Sequence, residues 1–232
     1  PQALINILHK RLPKGTVRTG HRVTELEMAE NGILVSFGGE EIPGFIAKRV
    51  VVAAPMRVAA ETIRFPETLD QNVLSIMRAT PTWMASQAKA VAVYDRPFWR
   101  DKGLSGRVAS HAGPLIEIHD NGPHDGSVGA LFGFIGWPPQ ARKAHVSELE
   151  AQIRKQLIRC FGEDGGAYAS LHIQDWATND AICSDADLAQ APRHPALAPD
   201  IMRTPHCGGR LFFSVSETAA DSPGLIEGAF SA

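Results

Sequence analysis

The order of apolar and polar residues predicts a chain of strands and amphipathic helices. Residues 84–94, MASQAKAVAVY, alternate with a period of two, which indicates a strand with two unlike faces. Residues 48–54 contain the apolar run RVVVAA, which is typical of a strand covered on both sides. The same reasoning predicts strands at 16–28, 32–37, 114–119, 127–135, 167–176 and 210–216, and helices at 1–12, 57–64, 67–79 and 224–231.

The best-defined predicted helix covers residues 146–161. Ser147 and Glu150 have the spacing of a capping box at its start, and Gly162 is a stop signal at its end. The stretch 177–208 is polar and rich in Pro and Ala, so it is predicted to be a loop. The apolar stripe of the helix consists of Val146, Leu149, Ile153, Leu157 and Phe161.

The composition fits an ordinary globular protein of mixed α/β class, with α+β character. The chain has 232 residues, of which 44% are apolar and 21% charged, so it can form one large domain or two small ones. A net charge of −2 without a long basic run argues against nucleic acid as a partner. No apolar stretch approaches the roughly 20 residues that span a bilayer, so no membrane association is expected.

Cysteine and histidine usage predicts neither a disulfide framework nor a metal site. The three cysteines are widely spaced and the nine histidines are scattered. A reducing, cytoplasmic location is the default expectation. The chain opens on Pro1 and not on Met, which leads us to expect further sequence upstream.

Lys89 is the most informative single residue of the predicted strands. On an alternating strand it shares a face with Gln87, Val91 and Val93. Its ammonium group must reach solvent or find a partner, because burying an unpaired charge costs several kcal/mol. From this feature alone, a lysine that extends into solvent and a functional lysine both remain open.

A second informative stretch is SETAADSPGLIEG at 216–228. It carries Glu217 and a turn at Pro223-Gly224 before the last predicted helix. A helix start of this kind points backbone N–H groups at an acceptor. A capped C-terminal helix with nothing bound is the alternative, and it also remains open.

Three stretches together resemble the flavin-containing amine oxidases, a family that includes monoamine, polyamine and L-amino-acid oxidases. They are RVVVAAP at 49–55, AKAVAVYDRPFW at 88–99 and RLFFSVSETAADSPGLIEGA at 210–229, in the order and approximate spacing of the family. Asp175-Trp176 before a loop agrees with the same pattern. The resemblance covers most of the chain but corresponds to the C-terminal half of a family member.

The resemblance implies a role for individual residues. Lys89 matches the catalytic lysine that holds a water against the flavin N5, and Trp176 matches a tryptophan beside the isoalloxazine. Glu217 falls where the last FAD strand meets the ribityl and phosphate region. The other implied FAD contacts are Val23 near the adenine, Pro55 after a strand that passes the cofactor, and Gly224, Leu225 and Ile226 near the flavin pyrimidine oxygen.

The resemblance also implies an architecture and a reaction. The fold would be a partial FAD-dependent amine oxidase fold, with cofactor-side β-elements at 1–56 and 209–232 and a substrate-side sheet with helices at 57–208. Strands 48–54 and 210–216 would then share a sheet. The implied function is oxidation of a C–N bond in an amine or amino acid, by hydride transfer to flavin and with O₂ as acceptor.

The sequence also departs from the family pattern. No G-x-G-x-x-G follows a predicted strand, so the cradle that holds the FAD pyrophosphate is not recognisable within the 232 residues. Ser214-Val215 stands where the family usually has Ala-Gly, which brings close approach of the cofactor into question. Neither Cys183 nor Asp185 aligns with a residue that binds flavin covalently, so covalent flavin is not expected.

Two functional hypotheses therefore remain. In the first, the chain is part of an FAD-dependent oxidoreductase whose dinucleotide-binding segment comes from a partner chain or from an upstream portion of the same polypeptide. In the second, it is a non-catalytic module or subunit that does not bind flavin by itself. A partner chain or a homo-oligomer is expected in either case. The reason is that strands 48–54 and 210–216 would otherwise leave apolar edges open.

Overall fold

The computed structural model describes residues 2–39 and 42–232 of the chain, which form two compact units. The first unit contains the described residues up to Thr80 together with Pro195–Ala232, and the second is Pro81–His194. Both units combine helices with sheets. The predicted mixed α/β class, with α+β character, is confirmed.

An antiparallel three-stranded sheet belongs to the first unit. Its strands are β1 (Val23–Ala29), β2 (Gly32–Phe37) and β3 (Phe45–Ala47), with β2 in the middle. The predicted hairpin is confirmed, but its turn is formed by Glu30 and Asn31, because Gly32 already pairs with Ala29 as the first residue of β2. The first strand begins at Val23 and not at residue 16, since Gly15 and Gly20 adopt positive φ angles of 83° and 76° in the turns that precede it.

Two short strands that are distant in sequence form a parallel pair in the same unit. They are β4 (Val50–Val52) and β10 (Leu211–Phe213), and Val50 lies opposite Leu211. The prediction that 48–54 and 210–216 share a sheet is therefore confirmed. Both strands are shorter than predicted.

The core of the first unit draws on both segments that form it. Helices α2 (Met56–Thr62) and α3 (Gln71–Ala79) follow β4. The fully buried side chains of this core come from the helices, the three-stranded sheet and β10, and include Met56, Val73, Met77, Leu26, Ile33 and Leu211.

Helix α1 (Gln2–Arg11) lies outside this core. Its helical conformation agrees with its predicted amphipathic spacing, but none of its described residues is buried. Leu4, Ile5 and Leu8 are between 39% and 55% exposed. The apolar stripe of α1 is thus uncovered by the part of the chain that the structure describes.

The second unit is built on a five-stranded antiparallel sheet. Lys89, Val91 and Val93 of the central strand β5 are half-buried, whereas Ala88, Ala90 and Ala92 are buried, so the predicted two faces are confirmed. The strands are β5 (Ala88–Tyr94), β6 (Val108–Ala109), β7 (Leu115–Asp120), β8 (Gly129–Ile135) and β9 (Ser170–Asp175), in the order β6-β7-β8-β5-β9.

Three helices accompany this sheet: α4 (Phe98–Asp101), α5 (Pro139–Ala144) and α6 (Val146–Phe161). Helix α6 has the predicted bounds. Its C-cap is Gly162, whose φ of 82° is a left-handed conformation that glycine adopts without strain. Four of its residues, Leu149, Ile153, Leu157 and Phe161, share a core cluster with the buried alanines of β5.

Two details of the α6 prediction are wrong. The N-cap is His145 and not a Ser147–Glu150 capping box, because α5 leads almost directly into α6 and Ser147 already lies in the first turn. Val146 is 70% exposed and does not belong to the buried stripe, which starts one turn later.

The stretch predicted to be a loop, 177–208, contains short helical turns. Helix α7 (Asp185–Leu188) begins with a capping box between Ser184 and Asp187, and Asp200–Arg203 forms a 3-10 turn. Helix α8 (Ile226–Ser231) starts two residues after the predicted position. The functional division into 1–56 with 209–232 and 57–208 remains a prediction.

Candidate functional site

Lys89 lies on the half-buried face of β5, the face opposite to the core under α6. In the antiparallel register it stands between Phe134 of β8 and Gln174 of β9. Its neighbours on the two flanking strands are therefore fixed by backbone pairing and not by the lysine itself.

Three aromatic rings surround the ammonium group of Lys89. The distances from its Nζ to the ring centres are 5.0 Å for Phe134, 5.4 Å for Phe132 and 5.5 Å for Trp176. All three fall within the range of about 6 Å in which a cation interacts favourably with an aromatic face. The lysine predicted to be catalytic thus has partners, and they are aromatic.

Trp176 is held by the end of β9. The backbone N–H of Trp176 donates to the carbonyl oxygen of Gln87 at 3.1 Å. The preceding residue, Asp175, receives two hydrogen bonds from Arg142, from Nε to Oδ2 at 2.6 Å and from Nη2 to Oδ1 at 2.7 Å. The structure therefore brings together two sequence-predicted site residues, Lys89 and Trp176.

Arg142 is a component of the site that sequence reasoning missed. Its side chain is 3% exposed, and it also donates to the carbonyl oxygens of Ser86 and Trp137. Its partner Asp175 lies 33 residues away along the chain, so no local spacing marks the pair. Phe132 and Phe134 were also missed, although their alternation on a predicted strand places both on one face.

A small cavity of about 200 Å³ opens beside Lys89 and Trp176. Met84 on its wall has a φ of 64°, a backbone conformation that L-residues rarely adopt. The remaining lining residues are Trp83, Ala85, Gln87 and Ile182. The cavity combines one cation with apolar and aromatic walls, which is a surface suited to a small organic molecule.

Cys183 is the residue after Ile182, which lines this cavity, and it is buried. Burial, followed by the nearby carboxylates of Asp187 and Asp175, raises the pKa of its thiol to about 11. The thiol is therefore protonated at neutral pH, and only a thiolate is a good nucleophile. The expectation that flavin is not bound covalently at Cys183 stays a prediction.

In the first unit, Glu217 lies in a 3-10 turn directly after β10. It is 7% exposed, and its Oε2 accepts a hydrogen bond from the Ser216 hydroxyl at 2.8 Å. Val215, which replaces the usual glycine of the family, belongs to the hydrophobic core of this unit. Its extra carbon atoms are accommodated in the core.

The predicted helix start is a closed turn. Gly224 has a φ of 77°, and its N–H donates to the Ser216 carbonyl oxygen at 3.2 Å. The Leu225 N–H donates to the Ser222 carbonyl oxygen at 3.2 Å. Ile226 begins α8, and its N–H has no hydrogen-bond acceptor among residues 2–39 and 42–232.

The two remaining predicted FAD contacts also lie in the first unit. Val23 is the first residue of β1 and is half-buried opposite Phe37. Pro55 precedes α2, where its fixed φ suits a helix start.

The described residues offer neither a metal site nor a membrane-spanning helix. They contain no group of three or more His, Cys, Asp or Glu side chains that could hold a metal ion. Within the same residues, every helix is too short or too polar to cross a membrane.

Comparison with known sequences identifies the family. The profile of the family described as flavin containing amine oxidoreductase matches residues 1–232. This chain belongs to that family. A probable flavin-containing monoamine oxidase A of Dictyostelium discoideum is 27% identical over 194 residues, and the match covers 79% of this chain and 40% of that protein. A putrescine oxidase of Kocuria rosea is 30% identical over 192 residues, covering 79% of this chain and 38% of that protein.

Solved structures agree on the fold. A mutant putrescine oxidase superimposes with a TM-score of 0.74 at 23% identity, covering 98% of this chain and 49% of that chain. Cyclohexylamine oxidase from Brevibacterium oxydans superimposes with a TM-score of 0.69 at 22% identity, covering 90% of this chain and 45% of that chain. The chain therefore spans less than half the length of these relatives, and the predicted partial amine oxidase fold is confirmed.

Proposed function

We propose that this chain is part of an FAD-dependent amine oxidase-like oxidoreductase, which oxidises a C–N bond of an amine or amino acid with O₂ as the acceptor. The observation that carries the proposal is the position of Lys89, whose ammonium group lies among three aromatic rings beside a small cavity. Membership of the flavin-containing family supports the reaction class. When bound, the flavin supplies the hydride acceptor.

Residues of the first unit fit a bound FAD. Glu217 is a buried carboxylate with one hydroxyl donor among the described residues, so it can accept hydrogen bonds from the hydroxyl groups of a ribityl chain. The Ile226 N–H has no acceptor among the described residues and can donate to a flavin carbonyl oxygen. Val23 and Pro55 are proposed contacts for the adenine end and the neighbouring part of the cofactor.

Lys89 is proposed to hold a water molecule by donating a hydrogen bond from its ammonium group. A substrate amine near this cation is favoured in its neutral form, since two like charges at close range repel each other in a partly buried site. A neutral amine carries the lone pair that assists removal of hydride from the adjacent carbon. For this reason no strong base among the residues of the chain is required.

The dinucleotide-binding segment is proposed to come from sequence beyond these 232 residues, in a partner chain or in the same polypeptide. Two observations support an additional covering surface, which a homo-oligomer would also provide. Strands β4 and β10 form a sheet of only two strands, and Val51 in it is 57% exposed. The apolar stripe of α1 is also left uncovered by the described residues. Small sheets with open apolar edges are unstable alone.

A non-catalytic module that does not bind flavin by itself is the second candidate function. The observation that favours it is the closed turn at 222–225, in which the N–H groups of Gly224 and Leu225 already have acceptors within the chain. Each lost backbone donor removes about 0.5–1.5 kcal/mol of net binding free energy. Ordering a large flexible cofactor costs several kcal/mol, so few contacts can hardly offset it.

The decisive experiment is a titration of the purified chain with FAD, alone and together with a dinucleotide-binding segment of the family. We expect bound-flavin absorbance and amine-dependent O₂ consumption only when both parts are present. In that complex, Lys89→Met should slow reoxidation of the flavin by O₂ far more than its reduction by the amine. Lys102→Met is the matched control, since Lys102 is an exposed lysine of the same unit that pairs with Asp164.

Each outcome of this titration decides between the candidates. Flavin that stays unbound in the presence of the segment would favour the non-catalytic module. Tight stoichiometric FAD in the chain alone would show that the segment is not required. Equal effects of Lys89→Met on both half-reactions would contradict the role given to Lys89.

A further inference from the structure

The surroundings of Lys89 differ from those of an ordinary surface lysine. Lys102, in the same unit, approaches a single ring, that of Phe98 at 5.1 Å, and pairs with the Asp164 carboxylate at 2.6 Å. Lys89 has no carboxylate partner among the described residues. Its ammonium group is instead bordered on three sides by the rings of Phe132, Phe134 and Trp176.

The three rings are held in place without help from the lysine. Phe134 lies directly opposite Lys89 in the β5–β8 pairing, and Phe132 lies two residues before it on the same face. The rings of Phe132 and Phe134 contact each other edge to face, with centres 5.0 Å apart. The main chain at Trp176 is held by a hydrogen bond from its backbone N–H to the Gln87 carbonyl oxygen and by the ion pair of Asp175 with Arg142. Rings fixed in this way form a cage and not a chance contact.

We propose that Phe132 and Phe134, together with Trp176, are positioning residues that hold the Lys89 ammonium group in an aromatic cage. A cage of this kind binds one cation, because its ring faces carry the negative part of the aromatic quadrupole. Lys89 fills it from within the chain, so a second cation is excluded. The catalytic consequence of the cage rests on the proposed function. The cage keeps the Lys89 ammonium group directed at the cavity, so that a substrate nitrogen approaches this cation as a neutral amine.

The cage can be tested without flavin by removing its occupant. Lys89→Ala leaves the three ring faces free, and tetramethylammonium chloride is a probe that such faces recognise. In an NMR titration we expect Lys89→Ala to bind this probe about tenfold more tightly than the wild type. Adding Phe134→Leu to Lys89→Ala should abolish the gain. Adding Trp137→Leu should not, because Trp137 is a half-buried aromatic residue of the same unit that lies outside the cage.

Equal affinity of the wild type and Lys89→Ala for the probe would overturn the proposal. A second measurement keeps it testable if Lys89→Ala does not fold. In the wild type, ring currents should move the Lys89 Cε proton signals upfield of those of Lys143, an exposed lysine of the same unit. Phe134→Leu should reverse part of this shift, since two of the three rings remain, and Phe134→Tyr should preserve it. A Lys89 signal that Phe134→Leu leaves unchanged would overturn the proposal equally.

The flavin-loaded protein provides the functional readout. Phe134→Leu should slow reoxidation by O₂ while leaving reduction by the amine nearly unchanged, and Phe134→Tyr should restore the rate. Success of the two flavin-independent tests without any amine oxidation would leave the cage in place and refute the proposed function. Amine oxidation together with failure of those tests would refute the cage alone.

Discussion

Arg142 and Asp175 form a two-point ion pair at the corner where β9 ends and Trp176 begins. The guanidinium comes from α5 and also donates to the backbone carbonyl oxygens of Trp137 and Ser86. Asp175 in turn accepts from the Ala177 N–H at 3.0 Å, which shapes the turn that carries Trp176. One buried arginine thus connects a helix, a strand end and an aromatic wall of the Lys89 cage.

Replacing Arg142 should destabilise the second unit strongly. Arg142→Met leaves Asp175 without its main partner, and breaking a buried ion pair in this way typically costs about 3–5 kcal/mol. The test is urea unfolding followed by tryptophan fluorescence. All four tryptophans lie in Pro81–His194, so the signal reports on this unit.

Lys143→Met is the matched control for this variant. Lys143 is the next residue of α5 and is exposed, so its replacement should change the free energy of unfolding by about 0.5 kcal/mol or less. Equal unfolding midpoints for Arg142→Met and Lys143→Met would refute the structural role of the ion pair.

Gln156 should be equally sensitive, for a different reason. It is a buried residue of α6 whose side chain bonds both backbone groups of Leu115, accepting from its N–H at 2.8 Å and donating to its carbonyl oxygen at 2.7 Å. A register shift in β7 at this point leaves these groups available to a side chain. Gln156→Leu should cost about 2–4 kcal/mol, since each buried group left unsatisfied costs about 1–3 kcal/mol.

The same fluorescence-detected unfolding measures this effect. Gln152, one turn earlier on α6 and half-buried, provides the control variant Gln152→Leu. If both variants lost a similar amount of unfolding free energy, the cause would be leucine at these positions of α6. That result would contradict a specific role for the contact between Gln156 and Leu115.

The second unit should lose stability in acid through Asp120. Hydrogen bonds from Arg100, and then from Trp99 and the Gly122 N–H, lower the pKa of this carboxyl to about 2. A folded-state pKa below the unfolded value contributes stability above the unfolded pKa, and this contribution disappears as the pH falls through the folded value. We expect the loss between about pH 4 and pH 2, with a magnitude on the order of 1 kcal/mol after screening by solvent around Arg100.

Unfolding free energies at a series of pH values test this linkage. Asp120→Asn should be less stable than the wild type at neutral pH, and the difference should shrink as the pH approaches 2. Asp221→Asn, at an exposed position of the first unit, serves as the control. A difference between Asp120→Asn and the wild type that does not change with pH would contradict the assignment.

How far the sequence could predict this structure depends on whether a feature is determined by neighbouring residues or by residues that are distant along the chain. The two faces of β5 and the bounds of α6 were predictable because alternation and helical spacing are local properties. The N-cap of α6 was not predictable, because α5 leads almost directly into α6 and His145 occupies the N-cap position in place of a Ser147 capping box. Partnerships across the sequence, such as Arg142 with Asp175, depend on tertiary packing and leave no local pattern.

The candidate site shows the same limit. Lys89 and Trp176 were identified by resemblance to a family, but their contact follows from the pairing of β5 with β9, which places Ala88 opposite Asp175. Phe132 and Phe134 were within a predicted strand, and the register that turns them toward Lys89 could not be read from spacing alone.

The apolar stripe of α1 leads to the last prediction, which concerns association. Leu4, Ile5 and Leu8 are exposed, and α1 buries none of its described residues. A contiguous exposed apolar surface of this kind is a typical interaction site. Leu8→Glu should therefore weaken self-association, or binding of a dinucleotide-binding segment, without lowering the stability of either unit, because the side chain contributes nothing to the core. Light scattering at micromolar concentration measures the association, and Lys10→Glu on the polar side of the same helix is the control. If Leu8→Glu associates as the wild type does, α1 is not the contact surface. The open edges of β4 and β10 would then be the remaining candidates.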